Sequence, residues 1–562
     1  MIVLGALDAW FFRNWNVNPD GVSYFDLARA VAAHGPAAAL NGYWSPLYPV
    51  ALGVLLKVVR PSQLWMYPLV RALSFAIFVA TTVAFDRLVR VACRQSPAYQ
   101  GARPWARAAT MIALWDAYAL FVLKGVGLFL ATPDMGVAFF VFWVSGSLLK
   151  LAAAHRRGRW WAWFGVVLAV GYWWKAILFP VGGLALLITF AIAWRRRDPV
   201  RGPVWAATTF GVLALCLIVP VSRLAGRPTF SETGRLNQLW YVNWAPYSWS
   251  LCVGPDARLP LARVKTVRTD SVLATRPRTC ALPDRWPEAT FPMWYDPSWW
   301  YRDTKAYVDV GEQWRAVRVN VSSLRDDLHD TAPLFAAGML LVAIAALATW
   351  SSMGNAWPLA LLSAGATAFY LLVYVEFRHV AAFFSIAVIT GLFALLADRG
   401  RWRVALLAAV AAAGVADLAR SATRIAVTEI AIMRHEIRGD PRPEQLTLRV
   451  ARELAAKGLL PGDRLATVGT LWNTDWAQRG GFRVRAYVPE YTVDILHTLD
   501  DLRDPCRLSA WTDALARDRI DAVVLSMPKG ERAPSAFEPL DDTGYYLLRI
   551  GRVERPVDCP GT

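Results

Sequence analysis

Ten apolar stretches alternate with polar connections along most of this chain, at 69–92, 107–123, 134–153, 160–175, 176–194, 203–222, 332–350, 355–373, 379–397 and 402–420. A helix needs about 20 residues, each rising about 1.5 Å, to cross a hydrocarbon layer. The pattern therefore predicts a polytopic α-helical membrane protein over residues 1–420. With an apolar N-terminal helix counted, about eleven transmembrane helices are expected. Only about a dozen apolar residues precede Arg13, which is short for a span. Either the true start lies upstream or that helix is truncated. A cleaved signal peptide is not expected, because the segment has no basic leader and no small-residue cleavage site. The run 46–60 is also short and reads as a juxtamembrane or re-entrant helix within a first loop at 13–68.

Two regions break the pattern. Residues 223–330 are rich in Trp, Pro and charge and too long for a simple turn, so a structured cap is expected. Residues 430–562 read as a small α/β domain. A helical pattern at Leu446–Lys457 passes through Gly458 and Pro461-Gly462-Asp463 into a strand at Arg464–Val468, and a second helix at Ser509–Arg517 precedes a strand at Ala522–Leu525. No glycine-rich nucleotide motif accompanies these strands, which points to recognition or packing.

Composition agrees with the membrane reading. The 562 residues are 56% hydrophobic and 18% charged, against about 25% charged in soluble domains. The net charge of +17 would suggest nucleic acid in a soluble protein. Here basic residues cluster in short connections: Arg94 to Arg107, His155-Arg156-Arg157-Gly158-Arg159, Arg195-Arg196-Arg197 and Arg399-Gly400-Arg401-Trp402-Arg403. Placing all four on the cytoplasmic side orients every span without conflict, and no nucleic-acid partner is implied. The 28 tryptophans fit interfacial belts and could also supply sugar-stacking faces. The same topology places Asp20, Asp134, Lys175, residues 223–330, Glu376-Phe377-Arg378-His379 and the C-terminal domain outside. Cys252, Cys280, Cys506 and Cys559 fall there too, in two local pairs that suggest disulfides 252–280 and 506–559 in an oxidising compartment.

The polar residues at span ends carry the candidate chemistry. Asp20 stands in Asn18-Pro19-Asp20-Gly21-Val22-Ser23-Tyr24-Phe25-Asp26, shortly before Tyr43-Trp44-Ser45-Pro46-Leu47-Tyr48-Pro49. Read locally, Asp20 is a turn former or helix cap. Asp134 follows Thr132-Pro133 and could cap the helix after it. Lys175 closes Tyr172-Trp173-Trp174-Lys175, where a snorkelling interfacial lysine is one reading. Arg378 could clasp a phosphate through its guanidinium fork or simply pair with Glu376. Arg71 opens the 69–92 span on the same side as a further phosphate partner.

Together these segments resemble the GT-C superfamily of membrane glycosyltransferases, in particular the bacterial group related to protein mannosyltransferases and aminoarabinose transferase. The resemblance implies that Asp20 in the first external loop is the catalytic base, with Asp26 a weaker alternative. Asp134 would assist at the second loop, Lys175 and Arg378 would face lipid phosphate, and Tyr24, Glu376, His379 and Arg71 would complete the substrate-binding set. His379 stands where tyrosine is common in the family. A divalent cation, Mg or Mn, shared by Asp20 and Asp134 is the one cofactor left open. The expected activity is inverting transfer of a sugar from a polyprenyl-phosphate donor to an extracytoplasmic glycan, lipid or protein, at a bacterial inner membrane. A flippase for lipid-linked glycans is the alternative, although no internal repeat supports it.

Overall fold

The computed structural model describes every residue except 16, 155–157, 246–271, 282–288, 291, 303, 348–353, 355, 398–400, 439–445, 470–473, 489–494, 528–529, 552–558 and 560–562. Seven helices among the described residues are long and apolar enough to cross a membrane: Met66–Gln95, Pro104–Lys124, Asp134–Ala153, Leu178–Arg196, Arg201–Ala225, Phe377–Ala397 and Ala405–Val427 within Arg401–Ile437. The other expected spans form shorter apolar helices at Ile2–Phe11, Gly158–Trp174, Pro333–Leu347 and Trp357–Val373. One physical reason is visible at 174–178, where the chain leaves helix around Lys175 and resumes it at Leu178. Asp134–Ala153 packs closely against Met66–Gln95 and also meets Phe377–Ala397, with Leu148, Phe142 and Phe383 fully buried.

The 46–60 run forms the helix Leu47–Val59, which packs on Pro19–His34 through Tyr48 and Leu52. Gly53 permits this approach, because a Cβ there would lie 2.6 Å from the carbonyl oxygen of Ala28. Pro19 starts the Pro19–His34 helix at a position where its missing N–H costs nothing, and Gly35, at φ +90°, stops it.

The C-terminal region is built on a seven-stranded sheet in the order β1-β2-β4-β3-β5-β7-β6. The strands are β1 Val272–Thr275, β2 Arg278–Ala281, β3 Arg464–Val468, β4 Arg483–Val488, β5 Ala522–Ser526, β6 Glu538–Pro539 and β7 Tyr545–Arg549. β3 runs parallel to β4 and β5, and its residues Leu465, Ala466 and Val468 are wholly buried, as befits a strand covered on both faces. One face packs on Leu508, Trp511 and Leu515, the other on Val450, Leu454 and Trp476.

The 223–330 segment and the C-terminal region share this sheet. The β1–β2 hairpin belongs to the long 223–330 segment, yet Cys280 pairs with Tyr487 and Ala281 with Ala486 of β4. Trp511 also donates to the Thr279 hydroxyl at 2.7 Å. Cys506 and Cys559 form a disulfide. Cys280 is disulfide-bonded as well; Cys252, its expected partner, lies outside the described residues.

Candidate active site

A cavity of about 1080 Å³ opens at one end of the bundle, lined by Asp20, Tyr24, Trp44, Lys175, Trp294, Tyr374, Glu376, Arg378 and His379 among others. Asp20 lies in the first turn of Pro19–His34, and the cap position belongs to Asn18. Its carboxylate is free of a capping role and faces across the cavity. Oδ2 accepts from Arg378 Nη2 at 2.9 Å and Oδ1 from Trp294 Nε1 at 3.0 Å. The side chain remains 24% exposed.

Asp134 is the first residue of its helix, after Pro133, and is buried. It accepts from Thr132 Oγ1 at 2.7 Å, holds the ammonium of Lys175, and lies 3.6 Å from Arg378. Lys175 reaches it because Trp174 turns inward and donates to the Pro133 carbonyl at 2.7 Å. That indole fills the space over Gly136, where a Cβ would come within 2.2 Å of it. Arg378 is thus shared among three carboxylates, its Nε meeting Glu376 at 2.5 Å. Glu376 also accepts from the Tyr374 hydroxyl. Burial would raise the Glu376 carboxyl, but His379 and Arg378 hold it below its ordinary range. The His379 ring stacks on Tyr370 at 5.2 Å, and its Nδ1 accepts from the Glu376 amide.

Three segments distant in sequence, at Asp20, Lys175 and 376–379, therefore meet around one cavity, and the buried Asp134 joins them through Lys175 and Arg378. Tyr24 joins them, buried and packed against Trp44 and Tyr48 with ring centres 4.8 and 5.3 Å apart.

Three expectations are corrected. Arg71 is not on the cavity: it is 1% exposed and donates to the carbonyls of Phe12 and Trp15 at 3.2 and 3.3 Å, which pins the N-terminal connection. Asp26 faces away from Asp20, buried at 0% exposure. It accepts from the Thr290 amide at 2.6 Å, the Thr290 hydroxyl at 2.9 Å and Gln478 Nε2 at 2.8 Å. Burial pushes its carboxyl up to about 6 despite these bonds. The pair Asp20 and Asp134 does not fit a shared divalent ion, because the Arg378 guanidinium already bridges them.

Sequence reasoning missed Trp294, which reaches Asp20 from a remote segment, and Lys124, a cavity-lining lysine that donates to the Thr331 carbonyl at 2.6 Å and Ser421 Oγ at 3.0 Å. It also missed Gln478, which bonds Asp26, Val22 and Tyr67 and so ties the C-terminal domain to the helix carrying Asp20. Lys124 had a legible signal, a lysine closing an apolar run. The other two had none.

The sequence matches no protein-family model and no curated protein. Among solved structures it is similar to two crystal structures of ArnT from Cupriavidus metallidurans, one in the apo state and one bound to undecaprenyl phosphate. Each aligns at 14% identity with a TM-score of 0.42, covering 97% and 99% of this chain and 96% and 98% of those chains. Likeness this distant assigns no chemistry.

Proposed function

We propose that the chain is a membrane glycosyltransferase of the GT-C type that transfers a sugar from a polyprenyl-phosphate donor to an acceptor outside the cytoplasm. The observation that carries this reading is the Asp20 carboxylate, open to a large cavity and set beside Arg378 and Lys175 at one end of a bundle of apolar helices. Such transfer needs a base for the acceptor hydroxyl and cations for the departing phosphate. Asp134 and Asp26 are buried and committed to other partners; of the carboxylates that line the cavity, Asp20 is the one held between the Arg378 guanidinium and the Trp294 indole.

In this mechanism Asp20 takes the proton from the acceptor hydroxyl as its oxygen attacks the anomeric carbon. The bond from that carbon to the phosphate oxygen breaks with its electron pair, and the configuration inverts. Lys175 and Arg378 neutralise the charge gathering on the polyprenyl phosphate, while Asp134 holds both cations in place. Charge-assisted bonds from a guanidinium fork suit that leaving group.

The test compares envelope glycans in a deletion strain complemented with wild type or with Asp20→Ala at matched expression. A sugar that is lost on deletion, restored by wild type and absent with Asp20→Ala supports the enzyme. Full restoration by Asp20→Ala removes Asp20 from the chemistry and brings the flippase reading forward.

A further inference from the structure

The two oxygens of Asp20 face different chemistry. Oδ2 meets the Arg378 guanidinium at 2.9 Å, on the side where Lys175 and Asp134 also lie. Oδ1 meets the indole N–H of Trp294 at 3.0 Å, and beyond it stands an aromatic wall. Tyr43, Trp44 and Trp294 line the cavity there, with ring centres 4.6 Å apart for Tyr43–Trp44 and 6.2 Å for Trp44–Trp294.

The polar handles of this wall are turned to other protein groups. The Trp44 indole donates to the Trp294 carbonyl at 2.8 Å, the Trp294 indole to Asp20, and the Tyr43 hydroxyl to Asn237 Oδ1 at 3.2 Å. What the wall can offer the cavity is carbon, chiefly from the half-buried Tyr43 ring, with Trp44 and Trp294, 8% and 7% exposed, supporting it from behind. Trp240 backs Trp294 at 5.3 Å in a near-parallel stack, and Asn41 fixes the turn by accepting from the amides of Tyr43 and Trp44. Asn237, whose Oδ1 accepts from Tyr43, and Thr233, whose hydroxyl donates to the Tyr43 carbonyl at 2.6 Å, line the cavity beside this ring. Rigid π faces edged by an amide and a hydroxyl suit a sugar ring, whose C–H face is apolar and whose rim is hydroxylated.

We propose that this wall is the acceptor subsite and that the acceptor is a carbohydrate. The inference rests on the glycosyltransferase reading above. It assigns the two sides of Asp20: donor phosphate on the Oδ2 side with the cations, acceptor hydroxyl on the Oδ1 side against Trp294 and Tyr43.

The experiment uses the full chain in native membranes. Lipid extract from the Asp20→Ala strain, where unused donor accumulates, supplies the donor. Envelope material from the deletion strain, separated into delipidated glycan, lipid and protein fractions, supplies the acceptor. Wild type is expected to transfer to the glycan fraction. Tyr43→Leu is expected to raise the acceptor KM tenfold or more while the donor KM stays within twofold, and Tyr43→Phe, which keeps the ring, to remain near wild type. Tyr43→Met, which keeps bulk but not the ring, gives a second reading of the wall should Tyr43→Leu fail to accumulate. Transfer that goes to protein or to sugar-free lipid, a donor KM that moves instead, or an acceptor KM unmoved in these variants overturns the subsite. Absence of transfer by wild type, or full turnover by Asp20→Asn, would instead overturn the reading on which it rests.

Discussion

Asp20 and Asp26 stand on the same helix and have opposite surroundings. Asp26 is closed off from solvent, its oxygens answered by Thr290 and Gln478, and its carboxyl is pushed up to about 6. Asp20 meets a guanidinium and an indole but keeps an open side toward a cavity. The difference separates structure from chemistry. A buried acid bonded by Thr290 and Gln478 fastens three segments together at the cost of desolvation. A partly open acid held by a cation is oriented and still reachable.

That contrast breaks most sharply at Asp20. Asp20→Asn is expected to lower transfer by about 10²–10⁴-fold, the range of a lost general base, with little change in melting temperature; both are measured on purified protein. Arg378→Lys keeps the charge but loses the fork that spans Asp20, Asp134 and Glu376. Turnover should drop by about 10²-fold, read as kcat at saturating donor.

Asp26 should show itself in stability. Its folded carboxyl lies near 6, above the ordinary value of 3.8, so the folded state binds the proton more tightly. Its contribution is full below about pH 4, falls as pH rises toward 6 and is flat above, a change of about 3 kcal/mol at most. Thermal melts of wild type and Asp26→Asn across pH 4–7 isolate this term. Their difference should grow between pH 4 and 6 and then level. A smaller effect is expected of Gly136→Ala, whose methyl would collide with the Trp174 indole. The misfit should cost on the order of 1–3 kcal/mol and loosen Lys175 from Asp134, seen as a lower melting temperature with a raised donor KM.

Much of this arrangement is legible in the sequence, because membrane spans and their flanks are local signals. Hydropathy marks each apolar stretch. The basic connections place Asp20, Asp134, Lys175 and residues 376–379 together at one end, and ion pairs link them there, Arg378 to Asp20 and Asp134 and Lys175 to Asp134. Arg71 looked equivalent, being a cation at a span end. Only the path of the N-terminal connection turns it toward Phe12 and Trp15. Trp294 and Gln478 were illegible for a different reason. Each acts through one long-range contact made by a region with no strong periodicity, and nothing near either residue announces Asp20 or Asp26. The β1–β2 hairpin hid in the same way, since four-residue strands carry little pattern and this pair finds its neighbour in a separate part of the chain.

The hairpin also sets an order of assembly. β2 emerges from synthesis well before β4, and the helices from Pro333 to Ile437 are made between them. Until β4 arrives, one edge of the hairpin is an unpaired strand, a surface that invites wrong partners. Pairing across so long a stretch of chain is slow to form. A nascent protein would therefore keep an open edge while its last membrane helices are being inserted, and only the C-terminal domain can close it. A chain truncated before residue 483 would lack β4 and leave the β2 edge without the neighbour it has in the full sheet.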